Sequence, residues 1–173
     1  MSIYLTLDNL NDLISSKSLK ILKKNQKENG TNYYFTPNLV LKLYGAKVIF
    51  INPKFLVFQF CKIKNSSLYL LLKSINSILL NELKKTHSEM FNKEIYSFFS
   101  DVDDKFTIRC YLPNYKNKYF IQCESSDNSV NYFTLPKHQI TYDMITIEIR
   151  NVWYKNEKGG FNIELKGVYY NFS

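Results

Sequence analysis

No uncharged apolar run in this sequence approaches the 18 residues that would suggest a membrane-spanning helix. The longest candidate, Val48 to Cys61, is broken by Asn52-Pro53-Lys54. The start, Met1-Ser2-Ile3-Tyr4-Leu5, meets Asp8 and Asp12 early and lacks a basic segment ahead of an apolar one, so it does not read as a signal peptide. Cysteine is limited to Cys61, Cys110 and Cys123, an odd number without CxxC spacing. These read as small buried apolar residues of a reducing compartment, not as bridges or metal ligands. An intracellular protein, neither secreted nor membrane-bound, is expected.

Chemistry-bearing patterns are equally scarce. The histidines are His87 and His138, and neither lies in an HExxH or Cys/His metal spacing. A histidine near a helix end, as His87 would be, reads as solvent-facing or capping. With 5 glycines there is no Walker loop, GxGxxG or GxSxG, and Gly159-Gly160 reads as hairpin-turn chemistry. A cysteine nucleophile needs a nearby base, whereas Cys110 and Cys123 fall in phase with core residues. Asp101, Asp103 and Asp104 with Asp143 are the candidate Mg²⁺ ligands, but a solvated turn explains them and no second acidic cluster joins them. No catalytic apparatus, metal or other cofactor is expected.

What the chain has in excess is aromatic rings and positive charge, 14 Tyr and 13 Phe with a net charge of +8. Cations attract phosphate and rings stack on bases, a combination suited to nucleic acid. The AT-rich codons of Lys, Asn, Ile, Tyr and Phe would give the same bias, so position must decide. Hydrophobic residues at 45% and charged ones at 22% fit a globular chain of 173 residues, long enough to bury ~70% of its unfolded surface.

The periodicities predict one domain over 1–173, with residues 1–38 as a strand or hairpin extension marked by Asn29-Gly30. Three strand-like runs follow: Asn38 to Tyr44 ending at Gly45, Lys47 to Ile51, and Lys54 to Ile63. From Ser67 to about Asn92 the period becomes helical, with Leu68, Leu71, Leu72, Ile75, Leu79 and Leu83 on one stripe. Alternation then returns over Phe106–Leu112 and Tyr119–Glu124, with a short strand at Tyr132-Phe133-Thr134. A final hairpin places Ile145, Ile147 and Ile149 opposite Phe161, Ile163 and Leu165. This order predicts a mainly β, α+β fold. The expected architecture is an OB-fold-like Greek-key β-barrel with one long helix inserted between the third and fourth barrel strands.

Strand parity nominates a binding surface. If Leu39, Leu41 and Leu43 face inward, Lys42 and Tyr44 face out. If Phe55, Val57 and Cys61 face inward, Phe58, Phe60 and Lys62 face out, and burial of that strand on both faces is the alternative. Arg109, Tyr111 and Phe120 follow by the same parity, although a cross-strand pair of Arg109 with Glu124 would also explain Arg109. Arg150, the other arginine, sits in a polar strand phase. Tyr154 and Lys155 lie at a hairpin tip, and Lys116 and Lys118 beside Tyr115 form a basic loop. Trp153 is in phase with the core.

Three segments together resemble a known family: Phe106-Thr107-Ile108-Arg109-Cys110-Tyr111-Leu112-Pro113, Ile145 through Trp153, and Gly160-Phe161-Asn162-Ile163-Glu164-Leu165. With the preceding helix, residues 68–168 resemble the OB-fold single-stranded DNA-binding proteins of large double-stranded DNA viruses. Those are similar to the replicative single-strand binders of short-tailed phages. The resemblance implies coating and protecting single-stranded DNA in viral replication, recombination or repair, with replication proteins as partners, at a viral replication site in host cytoplasm or nucleus. RNA stays open, since stacking does not distinguish sugars. Many such proteins carry an acidic tail. This chain has no acidic residue after Glu164, so self-association through a terminal strand or the aromatic end is the alternative to recruitment by a tail. The rival reading is a virion or assembly module whose aromatic strands bury in a subunit interface.

Overall fold

The computed structural model describes residues 1–26, 28, 30–127 and 130–170. In chain order the elements are β1 (Ser2–Tyr4), α1 (Leu7–Ser15), β2 (Lys20–Gln26), β3 (Gly30–Asn52), β4 (Phe55–Cys61) and α2 (Ser66–Thr86). After a 3-10 turn at Ser88–Met90 come β5 (Ser100–Val102), β6 (Lys105–Tyr111), β7 (Asn114–Tyr115), β8 (Lys118–Tyr119) and β9 (Gln122–Ser125). The chain continues through β10 (Val130–Tyr132), β11 (Thr141–Lys155) and β12 (Lys158–Tyr170). Among the described residues no helix is long and apolar enough to cross a membrane.

Two compact units emerge, each discontinuous in sequence. Unit A comprises Met1–Val40, Ser66–Phe98 and Ile149–Asn162; unit B comprises Leu41–Asn65, Phe99–Glu148 and the chain from Ile163 on. The long strands β3, β11 and β12 contribute to both.

Unit B is built on a ring of hydrogen-bonded strands, β3-β4-β6-β12-β11 and back to β3. The ring closes through a parallel bridge between β12 and β6 at Glu164↔Tyr111. This is an OB-like arrangement, and its core is the inward set of each strand: Leu41 and Leu43, Leu56 and Phe58, Phe106 and Ile108, Ile145 and Ile147, Ile163 and Leu165. Phe60 and Phe106 face each other in register and stack with centroids 5.0 Å apart. Lys166 ties β12 to β11, its Nζ lying 2.9 Å from Glu148 and 3.1 Å from Glu164. Burial alone would lower the Lys166 ammonium, but the two carboxylates outweigh it and hold it above its ordinary value.

The helix does not sit where the sequence predicts. α2 joins β4 to β6, the second and third strands of the ring, while β7–β10 fill the connection from third to fourth. The three strand-like runs before the helix are only two strands, because Gly45 is no turn. It sits inside β3 at φ 66°, and both Tyr44 and Gly45 point outward. The buried positions shift from Leu41 and Leu43 to Ala46 and Val48 across this pair, as a bulge of one extra residue requires. A second register shift falls between Val48 and Phe50 and turns Phe50 outward.

Unit A holds a second, unexpected helix. α1 opens on a capping box in which the Thr6 side chain accepts from the Asn9 backbone N–H and the Asn9 side chain accepts from that of Thr6. Leu10 of α1 is fully buried, as are Leu72, Ile75, Leu79 and Leu83 of α2, the last four on the predicted stripe. α2 stops at Thr86, short of the expected end. The expected N-terminal hairpin is present as β2 against β3, in register from Lys20↔Thr36 to Gln26↔Gly30; its signal residue Asn29 lies outside the described residues. At the β11–β12 turn the positive φ values belong to Asn156 and Glu157. Gly159 and Gly160 are instead strand residues, and a Cβ on Gly159 would collide with Ile95 and the Trp153 carbonyl. The aromatic end of the chain, residues 171–173, lies outside the described residues.

Candidate nucleic-acid interface

β4 and β6, the second and third strands of the ring, pair antiparallel from Phe55↔Tyr111 to Cys61↔Lys105. Leu56, Phe58 and Phe60 are 0–1% exposed. Phe58 and Phe60 are therefore core residues, opposite to the expected parity, and Phe55, Val57, Gln59 and Cys61 face out. On β6 Arg109 and Tyr111 face outward, alternating with buried Phe106, Ile108 and Cys110. Burial pushes the Cys110 thiol far above its ordinary value, which removes it as a nucleophile.

Register converts these outward residues into rows. Asn52, Phe55 and Tyr111 form one, Phe50, Val57 and Arg109 the next, and Lys47, Gln59 and Thr107 a third. The first two rows make a single cluster. The Arg109 guanidinium carbon lies 3.7 Å from the Phe55 ring centroid and 5.9 Å from that of Tyr111. Phe50 stacks on Phe55 at 5.6 Å with an interplanar angle of 16°, and Tyr111 meets Phe55 edge-on at 6.2 Å. Phe50 is 51% exposed and Tyr111 39%. Arg109 has no ion-pair partner among the described residues, and it opposes Val57 rather than Glu124. A guanidinium resting on a ring keeps its donors outward and in a fixed plane, ready for a phosphate or a base edge.

The third row leads into a groove of about 550 Å³ lined by Tyr44, Gly45, Lys47, Gln59, Cys61, Lys64, Asn65, Lys105 and Thr141, with Phe60 at its base. Lys47, Lys64 and Lys105 are exposed and have no ion-pair partner among the described residues. Tyr44, 58% exposed through the Gly45 bulge, stands at the rim, and Lys42 is exposed two residues before it on β3. Beyond the other end of the cluster, the Tyr119 hydroxyl donates to the Pro53 carbonyl at 3.0 Å, and Leu112 N–H donates to the Lys54 carbonyl at 2.9 Å. These bonds tie the β7–β8 hairpin to the β3–β4 turn. Tyr115, Lys116, Lys118 and Phe120 are thereby presented, with Lys116 Nζ 5.2 Å from the Tyr115 ring centroid.

Other nominated residues have different duties. Lys62 is engaged by the Asp101 carboxylate at 2.7 Å and the Asp103 carbonyl at 2.8 Å, so it braces β4 against the β5–β6 turn. Asp103 and Asp104 form that turn, Asp101 lies on β5 and Asp143 on β11, and among the described residues no group of three His, Cys, Asp or Glu is placed to hold a metal. Arg150, Tyr154 and Lys155 belong to unit A, where Lys93 Nζ lies 5.4 Å from the Tyr154 ring centroid and Lys155 donates to the Glu28 carbonyl. His87 is not solvent-facing: its Nε2 lies 2.9 Å from the Ile21 carbonyl, so that nitrogen carries the proton. Sequence reasoning missed Phe50, Phe55, Lys47, Lys64 and Lys105. Phe55 has the parity opposite to Phe58 and Phe60, and only the pairing of β4 with β6 shows which set faces out.

No protein-family model and no curated protein matches the chain. Among solved structures, the fold is similar to that of the single-stranded DNA-binding protein from bacteriophage Enc34 in its C-terminal truncation. That match has a TM-score of 0.52 at 12% identity over 89% of this chain and 96% of that one. The same phage protein without that truncation gives 0.48 at 14% identity over 87% and 89%. Its complex with single-stranded DNA gives 0.47 at 14% over 87% and 94%. At such identities the first match establishes a shared fold.

Proposed function

We propose that this chain binds single-stranded nucleic acid, DNA foremost, on the outer face of β4 and β6 and without strong sequence preference. One observation carries the reading: the Phe50–Phe55–Arg109–Tyr111 cluster occupies the outer face of the second and third ring strands, the face on which OB-folds take up oligonucleotides. The rings supply stacking platforms that accept any base, and the lysine groove neutralises the phosphates that follow. A fold shared with a phage single-stranded DNA-binding protein is consistent with this role. A place in replication, recombination or repair, coating unwound strands, follows from the same reading.

The test is fluorescence anisotropy with labelled single-stranded and duplex DNA of equal length across a salt series, with an RNA of the same sequence alongside. Tight single-strand binding that weakens with salt and falls roughly 5- to 100-fold in Phe55→Ala is the expected result. Equal, weak affinity for both DNA forms, with stable self-association that Phe55→Ala disrupts, would overturn it and make the aromatic face a subunit interface.

A further inference from the structure

The β2–β3 hairpin of unit A has two faces with different fates. Its inner face is spent on a brace to the end of α2. Lys23 Nζ meets Glu89 Oε1 at 2.6 Å, the Tyr33 hydroxyl donates to the same oxygen at 3.3 Å, and His87 bonds the Ile21 carbonyl. Ile21 and Phe35 are buried on that side. By register the outer face carries Lys20 and Leu22 on β2 beside Thr36 and Tyr34 on β3, with exposed Lys24 at the end where its partner Asn32 is buried and accepts from Asn151. Leu22 is half-exposed and Lys24 Nζ sits 5.2 Å from the Tyr34 ring centroid. Among the described residues neither Lys20 nor Lys24 has an ion-pair partner, and β2 pairs with no strand but β3. Glu89 already neutralises Lys23, so the positive charge that remains faces outward.

We propose that this outer face is a second contact surface for single-stranded nucleic acid, an inference that rests on the reading of the β4–β6 face as the first. Lys20 and Lys24 contact two backbone phosphates, while Leu22 and Tyr34 give a sugar or base an apolar floor. The brace fixes the backbone from behind, so little ordering cost attends binding. The other duty lysines perform on such a strand is to discourage edge-to-edge pairing with a second chain, and the two duties have different signatures.

The experiment compares wild type, Lys20→Gln/Lys24→Gln and Arg109→Ala on labelled oligothymidylates of increasing length, at several salt concentrations. The shortest strands that bind are expected to bind wild type and the hairpin variant alike and Arg109→Ala poorly. Longer strands should bind the hairpin variant roughly 5- to 10-fold more weakly, with a salt slope reduced by about 1.4 for two lost single-strand phosphate contacts. Photocrosslinking of a long iodouracil-substituted strand to wild type should label Tyr34, a readout independent of any variant. A hairpin variant that matches wild type at every length, or that only self-associates, overturns the proposal, as does a Tyr34 never labelled. If Arg109→Ala binds normally while the hairpin variant fails at all lengths, the β4–β6 reading falls and the hairpin stands as the main surface. Absence of wild-type binding at any length overturns both.

Discussion

At the scale of single residues, the contrast between Phe55 and Phe58 is the most informative. They lie three apart on one strand, yet one props Arg109 on the surface and the other is wholly buried. Phe58→Ala is expected to cost about 3–5 kcal/mol of stability through the cavity it leaves, read as a shift in the urea midpoint, with binding altered only as the fold is lost. Phe55→Ala should do the reverse, leaving the urea midpoint near that of wild type while affinity falls. Arg109→Lys keeps the charge but loses the planar stack on Phe55, so we expect it to weaken single-strand binding in anisotropy titrations nearly as much as Arg109→Ala. Arg109 and Tyr111 were legible because β6 alternates unambiguously, with Phe106, Ile108 and Cys110 on one side. β4 carries large apolar residues on both faces, so its own sequence could not say which set was inward. Only the pairing of Phe60 with Phe106 and of Phe55 with Tyr111 fixes it.

At the scale of elements, α2 was legible from its period and the β11–β12 hairpin from its isoleucines. What escaped was irregularity. Gly45 was read as a turn because glycine commonly ends strands, whereas here its positive φ admits a bulge that leaves β3 continuous. A side chain there would meet nothing within 4 Å, so the cost of Gly45→Val is conformational. We expect about 1–2 kcal/mol of destabilisation by chemical denaturation. α1 was marked by the Thr6/Asn9 cap and by Leu7, Leu10, Leu13 and Ile14 at helical spacing, but it is only nine residues long and was overlooked. The brace behind the β2–β3 hairpin should respond to pH at both extremes. The Lys23 hydrogen bond, foremost among several contacts, holds Glu89 at about 2 against an ordinary 4.5, so its contribution is full above 4.5 and fades as pH falls toward 2. Burial, with Glu89 beside it, raises Tyr33 to about 12 from 10.0, so its contribution is full below 10 and fades as pH rises toward 12. Amide exchange at Ile21–Lys24, corrected for its intrinsic pH dependence, should show a protection plateau between these limits and loss beyond each.

At the scale of the molecule, the aromatic and basic excess sorts into defined places. Much of the phenylalanine is structural, in the ring core and in unit A, and only Phe50, Phe55 and Phe120 serve the proposed interface. Lys166 is one cation engaged by carboxylates within the fold: Lys166→Met would strand the buried Glu148 carboxylate. We expect it to cost roughly 1–3 kcal/mol, recovered in part by Glu148→Gln in a double-mutant cycle.

The parallel bridge at Glu164↔Tyr111 also has a kinetic meaning. Phe55↔Tyr111 joins residues 56 apart in sequence and Glu164↔Tyr111 residues 53 apart, so neither pairing is local. The β4–β6 pair and the bridge that closes the ring therefore both wait on contacts remote in sequence. Remote pairing slows folding into the millisecond-to-second range. A chain caught before closure would display its stacking face on an open sheet whose β6 edge is guarded only where β5 covers Lys105–Thr107. On the proposed reading of that face, an early encounter with a nucleic-acid strand would hold β4 and β6 together and hasten closure.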